Sequence, residues 1–178
     1  QAELVGLSIS IEPGQACYIP LAHKVSGAEK TGDLLDSTQI KSTPDQVPFD
    51  QSLKLLAPLL EDRSVLKIGQ NLKYDMQVLA RYGLQIFSYD DTMLLSYVLD
   101  GGLHGHGLDE LARDQLGIET IKFKDVVGTG KNQITFDFVP LDEARDYAAE
   151  HADITLRLHR LFRSRLVEEH MVTVYETL

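Results

Sequence analysis

Cysteine is nearly absent: Cys17 is the only one in 178 residues. A single thiol cannot close an internal disulfide, so the chain reads as one made for a reducing, cytoplasmic setting. Cys17 lies between Ala16 and Tyr18 in an apolar stretch and is expected to be a small core residue, not a nucleophile. Long apolar runs are missing too; none approaches the ~20 residues a membrane helix needs. The opening Gln1-Ala2-Glu3-Leu4 lacks the basic start of a secretory signal. Positive charge is scarce: 17 Lys and Arg against 27 Asp and Glu leave a net charge of −10. That balance argues against a protein that grips nucleic acid by a broad basic face. It leaves room for carboxylates gathered around cations, for a basic surface on a neighbouring domain, or simply for a solvated acidic surface. Internal repeats and low-complexity tracts are also lacking.

What is present is ordinary for a globular protein: 43% hydrophobic and 25% charged residues. The length fits one domain over residues 1–178, monomeric by default. Leu4 to Ile11 and Ala16 to Pro20 read as two strands of a hairpin around Glu12-Pro13-Gly14-Gln15. Residues 24–48 are polar and read as a long surface loop. Phe49, Leu53, Leu56, Ala57 and Leu60 recur at helical spacing, with Pro58 expected to kink or end that helix. Val65 to Gly69 reads as a buried strand, Asn71 to Tyr82 as a helix stopped by Gly83, and Leu84 to Phe87 as another short strand. Asp90 or Asp91 caps a helix from Met93 to Leu99, and Leu108 to Leu116 is a short helix closed by Gly117. Residues 118–138 look irregular. From Leu141 a long helix begins, with Ala144, Ala148, Ala152 and Leu156 on one face, and its pattern runs unbroken towards the end of the chain. Strands early and helices interleaved later predict an α/β domain with a mixed β-sheet flanked by helices.

Two segments carry chemistry-bearing residues at telling places. In Gly69-Gln70-Asn71-Leu72-Lys73-Tyr74-Asp75 a strand ends and a helix starts at once. Asn71 and Asp75, four apart, share a helix face near the C-terminal end of the strand, where α/β folds put ligand sites. A carboxylate there is placed to hold a divalent cation. The plainer reading is an Asn at a helix start with a surface Asp, and spacing alone favours it. In Tyr147-Ala148-Ala149-Glu150-His151-Ala152-Asp153, Tyr147 and His151 share a face while Asp153 points elsewhere. Here the plainer reading is a packed helix with Tyr147 partly buried and His151 solvated. His104 and His106 flank Gly105 without a ligand set and read as loop histidines.

Together these segments resemble the DEDD-type 3′→5′ exonucleases. Asn71-Leu72-Lys73-Tyr74-Asp75 resembles their second motif, and Tyr147-Ala148-Ala149-Glu150 the start of the third motif in the tyrosine-bearing branch. Leu4-Val5-Gly6-Leu7-Ser8, Tyr18-Ile19-Pro20, Asp91-Thr92-Met93 and Gly130-Lys131-Asn132-Gln133 extend the likeness over nearly the whole chain, to the exonuclease domain of bacterial DNA polymerase I. The resemblance implies a ribonuclease H-like fold. It also implies two divalent metal ions, Mg²⁺ or Mn²⁺, about 4 Å apart, that hydrolyse the 3′-terminal phosphodiester of DNA in replication and repair. By the same resemblance Asp75 is a metal-site carboxylate and Tyr147 orients the attacking water. Gln70, Asn71, Lys73 and Tyr74 line the path of a single-stranded 3′ end. Phe123 is a candidate base or sugar contact, or equally a core aromatic. Lys131 and Asn132 are candidate phosphate contacts, or a solvated loop. Residues 163–178 look like the start of the helix leading to a polymerase domain of the same chain.

The sequence departs from the family pattern in two ways. The first motif, Asp-x-Glu on an opening strand, belongs just before Leu4 and is not in this chain, so the first strand is expected to be missing. His151 stands where the family has Asp. Mg²⁺ prefers oxygen ligands, and imidazole is a poor substitute. The resemblance therefore implies a proofreading-type site weakened or inactive at His151. The alternatives are a non-catalytic scaffold module, or a stand-alone relative of the ribonuclease D kind acting on RNA.

Overall fold

The computed structural model describes residues 3–24 and 46–177. Among these residues four short strands and seven α-helices follow one another as an α/β chain. Strands β1 (Gly6–Glu12) and β2 (Gln15–Pro20) form the expected antiparallel hairpin, with a register irregularity between Ser10 and Glu12. Gly14, at φ +82°, supplies the left-handed step of its turn. Strands β3 (Lys67–Gly69) and β4 (Tyr89–Asp91) pair in parallel, Gly69 opposite Asp91. Both strand polarities are thus present, but among the described residues they form two separate two-stranded ladders.

The helices are α1 (Phe49–Glu61), α2 (Leu72–Ala80), α3 (Thr92–Asp100), α4 (Leu108–Leu111, followed by a wider turn over Ala112–Leu116), α5 (Phe123–Val127), α6 (Leu141–Glu168) and α7 (Val172–Glu176). Helix α6 organises the molecule, packing on the hairpin, on β3 and on α3. Its stripe Ile154, Leu158, Phe162 and Leu166, at intervals of four, meets Leu95 of α3, Leu111 of α4 and Ala112 just after it in one buried core. Ala144 and Ala148 are buried as their spacing predicts, and Ala144 packs with Val126, Val127 and Val139. A third core joins Leu4 and Leu21 to Leu72, Leu79, Leu84 and Ile86.

Several sequence expectations are corrected. Helix α1 runs through Pro58, which forfeits one hydrogen bond but still accepts the Asp62 N–H at its carbonyl. Leu84 and Ile86 alternate inward like a strand, yet among the described residues the segment pairs with none; its backbone ties are Leu84 N–H to the Leu79 carbonyl and Phe87 N–H to the Leu60 carbonyl. The second strand of that ladder lies later, at Tyr89–Asp91. Residues 118–138 are less irregular than expected, holding α5 and two short 3₁₀ turns at Gly130–Asn132 and Phe136–Phe138. The last helix is not continuous. His170 adopts φ +59°, and Met171 N–H reaches the Leu166 carbonyl while His170 N–H reaches that of Val167, which closes α6 before α7 begins. Cys17 is exposed rather than in the core: on the short hairpin it faces outward. The polar stretch at 24–48 falls mostly on residues 25–45, outside the described residues. Among the described residues no helix is long and apolar enough to cross a membrane.

Candidate functional site

The first half of the site is built where β3 ends. Gly69 leaves room for Leu72, whose side chain a Cβ at 69 would meet at 2.5 Å. Asn71 then takes a left-handed conformation, φ 56° and ψ 44°, and its side chain makes no capping bond. It therefore precedes α2 instead of sharing its face with Asp75, as spacing had suggested. The cap comes from a different strand. Asp91 Oδ1 accepts the Asn71 N–H at 3.0 Å, and Oδ2 accepts the Leu72 N–H at 2.8 Å. These are donors a helix start leaves unpaired. Asp91 Oδ1 also accepts the Met93 N–H at 2.9 Å and so caps α3.

Gln70 is engaged at both ends of its amide. Nε2 donates to the His106 carbonyl at 2.8 Å, and Oε1 lies 2.5 Å from the Thr92 hydroxyl, which also reaches the Gly69 carbonyl at 3.0 Å. Lys73 and Tyr74 project into solvent, Tyr74 at 55% exposure. Asp75 is solvent-exposed as a residue, yet protein crowds its carboxyl, and that crowding governs its titration. Loss of hydration pushes the carboxyl up to about 6; its own backbone N–H opposes the rise and the negative charge of Asp91 adds to it.

The second half lies on α6. The Tyr147 and His151 rings lie 4.1 Å apart between centroids with their planes tilted by 44°, and Tyr147 stands 5.8 Å from Phe136 and 5.9 Å from Phe123. Phe123 lies nearly parallel to Phe136 at 6.3 Å and keeps 49% of its surface in solvent, so it is not a core aromatic. It is the outer face of an aromatic wall. Burial raises the Tyr147 hydroxyl to about 12, helped by Asp109 and Glu150. His151 is not solvated. Its Nε2 is buried with no hydrogen-bond partner among the described residues. Burial lowers its pKa; Asp109 opposes and Lys122 reinforces the fall, so the ring is neutral at pH 7. Asp153 faces away as its spacing required: it accepts the Gly14 N–H at 2.6 Å and pairs with Arg157 at 2.8 Å, tying α6 to the hairpin turn. Lys131 and Asn132 are exposed on the 3₁₀ turn after α5.

A two-cation site needs several convergent carboxylates. Among the described residues no group of three His, Cys, Asp or Glu is placed to hold a metal ion. Asp91 and Asp153 are committed to backbone N–H groups, and Glu150 accepts the Ile121 N–H at 2.7 Å. The charged neighbours of Asp75 and of His151 also do not overlap: Asp91 for the first, Asp109 and Lys122 for the second. The donor set of the described residues does not fit the pair of ions.

Sequence reasoning missed two features. Asp91 was legible as a cap for the helix that follows it and as part of a family-like segment, but not as the cap of α2, because its bonds to residues 71 and 72 span the fold. Lys122, beside Asp109 at 3.5 Å and Thr120 at 3.2 Å, bears on His151 from a segment that carried no periodic signal. His104 and His106 are loop and structural residues: His106 is buried with its ring nitrogen 2.7 Å from the Ser96 hydroxyl, and its ring lies tilted against Tyr97 at 3.7 Å.

A family model described as a 3′-5′ exonuclease matches residues 1–167. DNA polymerase I of Rhizobium leguminosarum is 46% identical over 187 residues, covering 100% of this chain and 18% of that protein. DNA polymerase I of Pseudomonas aeruginosa is 43% identical, covering 93% of this chain and 17% of that protein. The chain thus spans less than a fifth of the length of these relatives. Among solved structures, Brucella melitensis NrnC with bound Mg²⁺ shares the fold at a TM-score of 0.56 and 24% identity, over 68% of this chain and 56% of that one. A nuclease in its apo form superposes at 0.67 with 18% identity, over 98% and 70%. The ribonuclease H-like α/β class expected from the sequence is the class of these neighbours.

Proposed function

The chain belongs to the 3′-5′ exonuclease family found in DNA polymerase I, and on that footing we propose that it receives the single-stranded 3′ end of DNA and hydrolyses its terminal phosphodiester only weakly. The carrying observation is the family match along residues 1–167. Asn71, Lys73 and Tyr74 take one side of the strand. Phe123 offers an open ring face for a terminal base, a contact that tolerates any base. Lys131 and Asn132 meet phosphate. Gln70 shapes the strand end from within. Tyr147, whose hydroxyl keeps its proton at neutral pH, donates or accepts a hydrogen bond at the scissile group. Asp75 supplies the carboxylate of the second motif.

The weakness follows from a donor set that, among the described residues, brings no three ligands together, with His151 standing where the family has a carboxylate. A neutral imidazole brings neither the charge nor the oxygen ligands that the family's two divalent cations call for. A domain of this kind acts beside a polymerase domain in the same polypeptide, and the segment from 163 onward is read as the approach to it. His151 also favours a second reading, a binding module kept as a scaffold without turnover.

The test is a cleavage assay on a 3′-labelled single-stranded DNA oligonucleotide with Mn²⁺ or Mg²⁺, alongside a binding titration. His151→Asp is expected to raise cleavage by roughly tenfold or more. Equal cleavage by both forms would reject the role given to His151. Binding without turnover in either form would select the scaffold reading, and failure of both to bind DNA would reject the 3′-end site.

A further inference from the structure

We infer that Asp91 is the positioning residue of the Gly69–Asp75 segment, and that Tyr175 on α7 holds it there, so that docking of α7 sets the geometry of this segment. The functional weight of the inference rests on the 3′-end site proposed above.

The Asp91 side chain is 5% exposed and stands opposite Gly69 in the β3–β4 ladder. Its two oxygens accept three backbone N–H groups, from Asn71, Leu72 and Met93, so one carboxylate closes the starts of both α2 and α3. The segment needs such a hold. Asn71 is in the left-handed region, which asparagine tolerates better than other non-glycine residues but which still carries a cost for neighbouring bonds to offset. Its own side chain makes no capping bond, so the hold comes from across the ladder. Thr92, fully buried beside Asp91, secures Gly69 and Gln70 from the same side.

The strand bearing Asp91 is in turn tied to α7. The Tyr175 hydroxyl accepts the Asp91 N–H at 3.0 Å and donates to Asp90 Oδ1 at 3.2 Å. Asp90 Oδ2 accepts from His159 Nε2 on α6 at 2.6 Å, with Arg163 3.9 Å away. Met171, Val172 and Tyr175 rest on the core shared by α3 and α6. A hydrogen-bonded path thus runs from α7 through Asp91 to Asn71 and Leu72. Whatever pulls α7 from its seat loosens the segment that presents Lys73, Tyr74 and Asp75.

Two variants test this. Asp91→Asn replaces one acceptor oxygen with a donor. Tyr175→Phe removes only the hydroxyl and keeps the packed ring. Amide hydrogen exchange at Asn71 and Leu72 is measured well below the melting temperature, with Leu158 in the core as internal reference, and the dissociation constant for an oligo-dT single strand is measured in parallel. Both variants are expected to speed exchange at Asn71 and Leu72 by roughly tenfold relative to Leu158, and to weaken oligo-dT binding without abolishing it. Unchanged exchange at these amides in Tyr175→Phe overturns the link to α7. Unchanged exchange in Asp91→Asn overturns the positioning role. The exchange readout needs no nucleic acid: faster exchange in a protein whose wild type binds no oligo-dT supports the α7–Asp91 link and rejects the 3′-end site instead.

Discussion

Asp75 and His151 both have titrations displaced by loss of hydration, and both displacements give predictions. The Asp75 carboxyl is raised to about 6, so the folded protein holds a proton there that the unfolded chain has released. Its stabilising contribution is complete below the unfolded value and is lost as pH rises through about 6. Asp75→Asn is therefore expected to raise the melting temperature above about pH 6.5 and to leave it unchanged near pH 4. His151 has the opposite sign: its lowered pKa stabilises the fold above the unfolded value and that contribution fades as pH falls. His151→Gln should flatten the acid side of the stability profile as pH falls below the ordinary imidazole value of about 6.5, read by thermal melts at successively lower pH. Residue roles were the least legible part of the sequence. The spacing of Tyr147 and His151 gave their shared face, but not the burial that lowers the His151 pKa, nor the charge of Lys122, which reinforces the fall from a non-periodic segment.

Among the elements, α6 was the most legible, because a four-residue repeat of apolar side chains over many turns has one reading. Its end was not. The break at Glu169–Met171 uses a histidine where glycine is usual, so no punctuation marked it. His170→Gly should relieve the left-handed strain and stabilise the protein by about 0.5–1 kcal/mol in urea unfolding. The short strands were misread for a related reason. Residues 84–87 alternate like a strand because Leu84 and Ile86 enter a core, whereas Tyr89–Asp91 pairs through its backbone and carries two acidic residues instead of apolar ones. Pattern reports burial, and burial and pairing part company here.

At the scale of the molecule, α6 is the axle: its stripe joins the helical layer, and its N-terminal half carries Tyr147 and His151 beside the aromatic wall. Phe162, with no exposed surface, lies at the centre of that layer. Phe162→Ala should cost about 3–5 kcal/mol of stability through lost packing and the cavity left behind, measured by denaturant unfolding. A loss under about 1 kcal/mol would mean the core is not organised around it. The fold class was legible because strand and helix patterns alternate along the chain, and the family because its motifs recur in order. The proposal of weak turnover rests on His151 standing where the family has a carboxylate. Its most direct test is the rate of metal-dependent release of the 3′-terminal nucleotide from single-stranded DNA, compared between the wild type and His151→Asp. The account predicts a rate raised by roughly tenfold or more in the variant; equal rates would contradict it.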